Sequence, residues 1–187
     1  VYVQGGLVVF AYIDMQGFLL VDTGGWLDDL GEVAVLYGGL VDVDGSVHAY
    51  SYSSFDLAYG ASLYVSGDFC QDQSAYSELY GSLTVNFGGR ARFDGETYVE
   101  GQLTVYGDAE VDGGNIEVSD NGELQVESGG SFDCYGDISV VDGGYLRVHG
   151  DVTIDGSLYV YGYAQVYVEY GGTLTINGYA NVEYYST

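Results

Sequence analysis

The chain has 187 residues, 47% of them apolar and 17% charged, with 28 acidic against 3 basic side chains and a net charge of −25. That much apolar surface supports a folded core, while the one-sided charge argues against unaided binding to nucleic acid or to an anionic membrane. With 31 glycines, 21 tyrosines and no proline, a helical chain is excluded and strands are favoured.

In chain order, Val1–Val3 and Leu7–Ile13 are apolar and strand-like. The second stretch is much too short to cross a bilayer as a helix, so no membrane insertion is expected. From Leu19 onward, short alternating pairs recur in three columns. The first runs Leu19/Val21, Val41/Val43, Leu63/Val65, Leu83/Val85, Leu103/Val105, Leu124/Val126, Leu146/Val148 and Val166/Val168. Its steps of 20 to 22 residues are the length of one β-helix coil. The second column runs Val47/Ala49, Phe69/Gln71, Ala91/Phe93, Ala109/Val111, Phe132/Cys134, Val152/Ile154 and Leu174/Ile176, with a poor match near Trp26 to Leu30. The third runs from Val33/Val35 through Phe55/Leu57, Ser77/Leu79, Thr97/Val99, Ile116/Val118, Ile138/Val140 and Leu158/Val160 to Ala180/Val182.

Period-2 alternation turns one face inward in every column. Three strands per coil then describe a solenoid: an all-β, right-handed parallel β-helix of about eight coils, forming a single domain over 1–187. A sandwich or barrel does not hold a triple register through so many repeats. A left-handed hexapeptide helix keeps near-constant 18-residue coils, so the observed step favours the right-handed type. Dipeptides such as Tyr37-Gly38, Tyr59-Gly60, Asp94-Gly95, Tyr135-Gly136 and Asp155-Gly156 mark the corners, where glycine supplies φ > 0 without steric cost.

The segments Gly-Gly-Thr-Leu-Thr-Ile-Asn-Gly at 171–178 and Gly-Glu-Leu-Gln-Val-Glu-Ser-Gly-Gly at 122–130 resemble coils of bacterial autotransporter passenger domains and related repetitive surface adhesins. The resemblance implies secretion and an extracellular or cell-surface location, with attachment rather than catalysis as the role.

Catalytic motifs are absent. No two glycines are separated by one residue and there is no lysine, which removes dinucleotide and phosphate loops. His48 and His149 lie about five coils apart, and Cys70 and Cys134 lack metal-site spacing. No cofactor or dedicated metal is expected, only weak non-specific calcium binding by the acidic wall. Cys134 points inward and Cys70 outward, about three coils apart, so no disulfide joins them. Stacking places Asp56 beside Glu78, Arg90 between Asp68 and Asp108, Arg92 against Glu110, and Glu127 against His149. Polysaccharide hydrolases and lyases on β-helices use paired carboxylates, so a sugar-cleaving enzyme is the alternative reading.

The tyrosines suggest interaction. Tyr37, Tyr59 and Tyr80 fall at one corner of successive coils and are expected to form an exposed ladder suited to glycans or a cell surface. Neither end reads as a cap: Val1, Tyr2 and Val3 at one end, and Val182, Tyr184 and Tyr185 at the other, continue the strand pattern. The expectation is a non-enzymatic structural or adhesive subunit that polymerises with itself head to tail.

Overall fold

The computed structural model describes residues 1–183 and 185–187. Its strands form three nine-stranded sheets, and every pairing is parallel. Each sheet takes one strand from each successive coil. Coil 1 spans 2–15 and coil 9 spans 165–182, with coils 2 to 8 starting at 18, 40, 62, 82, 102, 123 and 145. At about 4.8 Å per rung, nine coils make a rod roughly 40 Å long.

The expected three-column β-solenoid is present, with one coil more than the eight expected. The extra coil is the N-terminal one: Val3 pairs with Val21, Leu7 with Leu27 and Ile13 with Val33. Its first strand has only two residues, Tyr2–Val3, too few to display an alternation. The weak match near Trp26 is also a strand, Trp26–Asp29. Leu27 and Asp29 both point inward and are 0% exposed, so an acid at an apolar position disguises the pattern.

All other columns point as their alternation requires. Leu63, Leu83, Leu103, Leu124 and Leu146 stack in one file, wholly buried, each worth about 1.5–3 kcal/mol of burial. Phe55, Phe69 and Phe93 fill the core of coils 3 to 5, with ring centroids 5.3 and 5.7 Å apart in sequence. One polar cluster interrupts this core. Gln71 donates to the Ala75 and Glu96 carbonyls at 3.0 and 3.1 Å and accepts from Ser77 and Thr97 at 3.0 and 3.3 Å. Its amide is thereby satisfied, which removes most of the cost of burying it.

The corners use glycine for two different reasons. Gly38, Gly60, Gly113, Gly143 and Gly162 have φ between 68° and 93°, as expected from the turn argument. Gly95, Gly136 and Gly156 do not adopt positive φ; the coil beneath leaves them no room. A Cβ on Gly136 would sit 1.9 Å from the Gly114 carbonyl oxygen. The expectation that all corner glycines serve left-handed turns is therefore corrected for these positions.

The cysteines are free, Cys134 buried and Cys70 half-buried. They lie on strands three rungs apart in the second sheet, which bears out the expected absence of a bridge. Burial pushes the Cys134 thiol up to about 12.

Gly136→Ala should destabilise the fold by about 3 kcal/mol through this backbone clash, while Gly17→Ala, with nothing within 4 Å of its added carbon, should change stability by less than about 0.5 kcal/mol. Thermal melts of the two variants check this contrast.

Asp29 and Asp56 generate a pH prediction. Burial pushes each carboxyl from 3.8 to about 6, partly offset at Asp29 by the Gly31 N–H and at Asp56 by the Ser54 hydroxyl and Glu78 N–H. The folded state therefore binds these protons more tightly than the unfolded chain. Stability should rise as pH falls from about 6 to about 4, and the penalty is fully present at pH 7. Asp29→Asn should stabilise the fold at pH 7 by on the order of 2 kcal/mol, read as a higher Tm, and flatten the Tm profile between pH 4 and 6.

Candidate functional site

Three surfaces combine exposure with chemistry: the two ends, the tyrosine corners and a groove on the second sheet. At the N-terminal end the strands of coil 1 have a free edge, and the core is partly open: Leu7 and Ile13 are half-buried, while Val3, Val9 and Met15 are buried. Val1 is 73% exposed, its ammonium donating to the Phe18 carbonyl at 2.5 Å. Tyr2 is exposed and donates to Asp22 Oδ2 at 2.7 Å, whereas Val3, in register with Val21, is buried. A depression of about 240 Å³ opens here, lined by Val1, Leu7, Ile13, Met15, Phe18 and Leu19.

At the C-terminal end Val168 and Val182 belong to inward columns yet are 51% and 55% exposed, because no coil covers them. Leu174 and Ile176 are half-buried for the same reason. The Tyr185 ring stacks on Tyr163 at 5.5 Å and 27°. Tyr184 lies outside the described residues. The expectation that nothing covers this end needs one correction. Thr187 donates to the Ala164 carbonyl and accepts from the Val166 N–H, so it occupies the first position of a tenth rung over the first sheet. The edges of Thr173–Ile176 and Ala180–Val182 lie at the outer limit of the other two sheets.

The expected tyrosine ladder forms in part. Tyr59 and Tyr80 lie 5.4 Å apart at 41°. Tyr37, 81% exposed, lays its ring beside Gly60, where an added Cβ would meet it at 2.9 Å. The bare glycine gives that ring a flat seat, so Tyr37 extends the aromatic surface through a backbone contact.

On the side wall the register places Arg90 between Asp68 and Asp108 as expected, in a groove of about 280 Å³ with Glu110, Ser131 and Asp133. Ser131 donates to Asp108 at 2.7 Å. Arg92 is in register with Glu110 but pairs along its own side of the wall, with Asp94 at 2.6 Å and Asp112 at 2.7 Å. Arg147 lies 2.7 Å from Glu123 and 5.6 Å from the Tyr167 ring centroid. His149 approaches Glu127 at 3.8 Å. Asp56 stacks on Glu78 as the third column requires, held by the Glu78 N–H at 3.3 Å.

One cluster was missed in the sequence. His48 and Cys70 are rung neighbours, Asp72 follows on the same outward face, and their ligand atoms lie within 4.8 Å of one another. The intervals 22 and 2 look unlike any metal motif in a linear scan, yet 22 is the coil repeat itself.

Among the described residues, no helix is long and apolar enough to cross a membrane. No protein-family model matches the chain, and no curated protein matches it. Among solved structures, it is similar to the TibC-catalysed hyper-glycosylated TibA55-350 fragment, at 16% identity and a TM-score of 0.24 over 98% of this chain and 97% of that one. At this level the likeness carries no argument about function, and the β-solenoid rests on the chain's own three sheets.

Proposed function

We propose that the chain is a structural or adhesive β-solenoid module of an extracellular filament, surface appendage or matrix, assembling head to tail through its end coils. The observation that carries this reading is the match between the two ends. Stacking coil 1 of one copy on coil 9 of another sets Val168 against Val3, Leu174 and Ile176 against Leu7 and Val9, and Ala180 and Val182 against Ile13 and Met15, continuing all three inward columns. Free strand edges supply the hydrogen-bonding groups for such a rung. Because the two end surfaces differ, the contact is heterologous and propagates.

Charge favours the same contact. Residues 1–16 carry one acid, Asp14, and residues 165–187 carry two, Glu169 and Glu183, out of 28 in the chain. The ends therefore avoid much of the repulsion that side-by-side packing of the acidic walls would meet. The exposed rings of Tyr37, Tyr59, Tyr163 and Tyr170 provide aromatic faces for glycans or a cell surface, and the resemblance of the coils to surface adhesins supports an extracellular setting.

One groove favours a second reading. Arg90 with Asp108, Glu110 and Asp133 is the kind of constellation a polysaccharide hydrolase or lyase uses. It ranks second because Asp108 and Asp133 are exposed and the groove is open to water, whereas a catalytic site gains from excluding it. Release of reducing or unsaturated sugar ends from a polysaccharide panel, lost in Glu110→Gln, would promote this reading over the first.

For assembly, electron micrographs and sedimentation velocity of the 187-residue chain should show rods lengthening with concentration, more readily in moderate salt or millimolar calcium than in low salt. Val168→Asp with Val182→Asp should abolish lengthening while leaving circular dichroism unchanged, since both side chains are already exposed. A chain that stays monomeric at high concentration in calcium and salt would sink the filament reading.

A further inference from the structure

The His48, Cys70 and Asp72 cluster has no part in either reading above. Imidazole, thiol and carboxylate form the mixed nitrogen, sulfur and oxygen donor set of tetrahedral zinc-type sites. Calcium needs six to eight oxygen ligands, and this cluster offers one carboxylate. We propose that His48, Cys70 and Asp72 form a surface site for a borderline divalent transition ion of the zinc type, with three protein ligands and one position left to water or an exogenous ligand.

The backbone organises the cluster before any ion arrives. Residues 46–49 and 68–71 are paired in register along their whole length, with His48 directly opposite Cys70. The imidazole is held on both sides: Nε2 lies 2.8 Å from Asp72 Oδ1, and the Tyr50 ring stacks on it at 3.9 Å and 21°. All three ligand groups are half-buried, which leaves the ion a path from solvent. To bind an ion with bonds of about 2.0–2.3 Å, the ligand atoms close in from this 4.8 Å envelope.

The surrounding charge is compatible with a dication. Asp28 neighbours His48 on the preceding rung, and Asp68 and Asp94 flank Cys70. Arg92, on the rung after Cys70, is the one adverse charge. Its guanidinium is engaged by Asp94 at 2.6 Å and Asp112 at 2.7 Å, which offsets its charge and draws it toward the next coil. An ion bound here staples coil 3 to coil 4.

Titration of the full chain with Co²⁺ alone should produce a near-ultraviolet thiolate-to-metal charge-transfer band that saturates at one ion per chain and is displaced by Zn²⁺. Cys134 serves as an internal control, since its thiol is enclosed and pushed up to about 12; Cys134→Ala should keep the band and Cys70→Ser should remove it. His48→Gln and Asp72→Asn should each weaken Zn²⁺ binding at least about tenfold. Zn²⁺ should raise Tm of the parent chain, while equal Ca²⁺ should not reproduce the part lost in Cys70→Ser. Circular dichroism of the variants checks folding, and all three positions are on the outward face. No thiolate band in the parent chain, or Zn²⁺ affinity unchanged in His48→Gln or Asp72→Asn, would overturn the proposal.

Discussion

Backbone hydrogen bonding between successive coils is the constraint on which everything else depends. Each rung repeats the one beneath at about 4.8 Å, so every residue is obliged to stack on its register partner. Leu63, Leu83 and Leu103 form a continuous apolar file for this reason. The same spacing brings the Gly114 carbonyl so close to Gly136 that no side chain fits between them. It also converts residues 22 apart in sequence, such as His48 and Cys70, into immediate neighbours.

Stacking multiplies electrostatic problems as readily as it multiplies contacts. Acids that recur at one position of the repeat face each other up the wall, and three arginines cannot neutralise 28 carboxyls. Local arrangement matters more than the count. Arg92 bridges carboxylates of two consecutive coils, Asp94 and Asp112, and exposed pairs of this kind stabilise by at most about 1 kcal/mol. Asp29 is instead fully, and Asp56 partly, withdrawn from solvent, and their raised pKa values record the cost of keeping charge there. The ends carry the fewest acids, so the rod meets least resistance where its strands are unpaired.

The fold was legible because its period is written three times over, in three columns whose errors are independent. What stayed hidden followed physical causes. Coil 1 begins with a two-residue strand, too short for alternation to register, and Asp29 replaces an apolar residue with an acid accepting from the Gly31 N–H. Corner glycines could be located from sequence, but whether φ or a neighbouring carbonyl demands them depends on how tightly the next coil turns. Of the candidate site, the exposed ends and the Tyr59–Tyr80 contact were readable. The seat of Tyr37 on Gly60 and the cap by Thr187 were not, since both arise from contacts between a side chain or tail and the backbone of another coil. The His48 cluster required comparing outward positions across coils, whereas the core columns draw attention to inward ones.

A solenoid of near-identical coils has a degeneracy that a globular core lacks: a segment displaced by one coil still finds leucine above leucine and valine above valine. The buried Gln71 amide breaks that symmetry. Its partners, Ser77 and Thr97 with the carbonyls of Ala75 and Glu96, come from coils 4 and 5. A segment slipped by one coil in either direction would separate the amide from part of this set and leave donors or acceptors stranded in hydrocarbon, a loss of about 1–3 kcal/mol for each stranded group. The polar cluster thus acts as an index mark on an otherwise repetitive scale. It contributes little to the depth of the native minimum and much to its separation from frame-shifted alternatives.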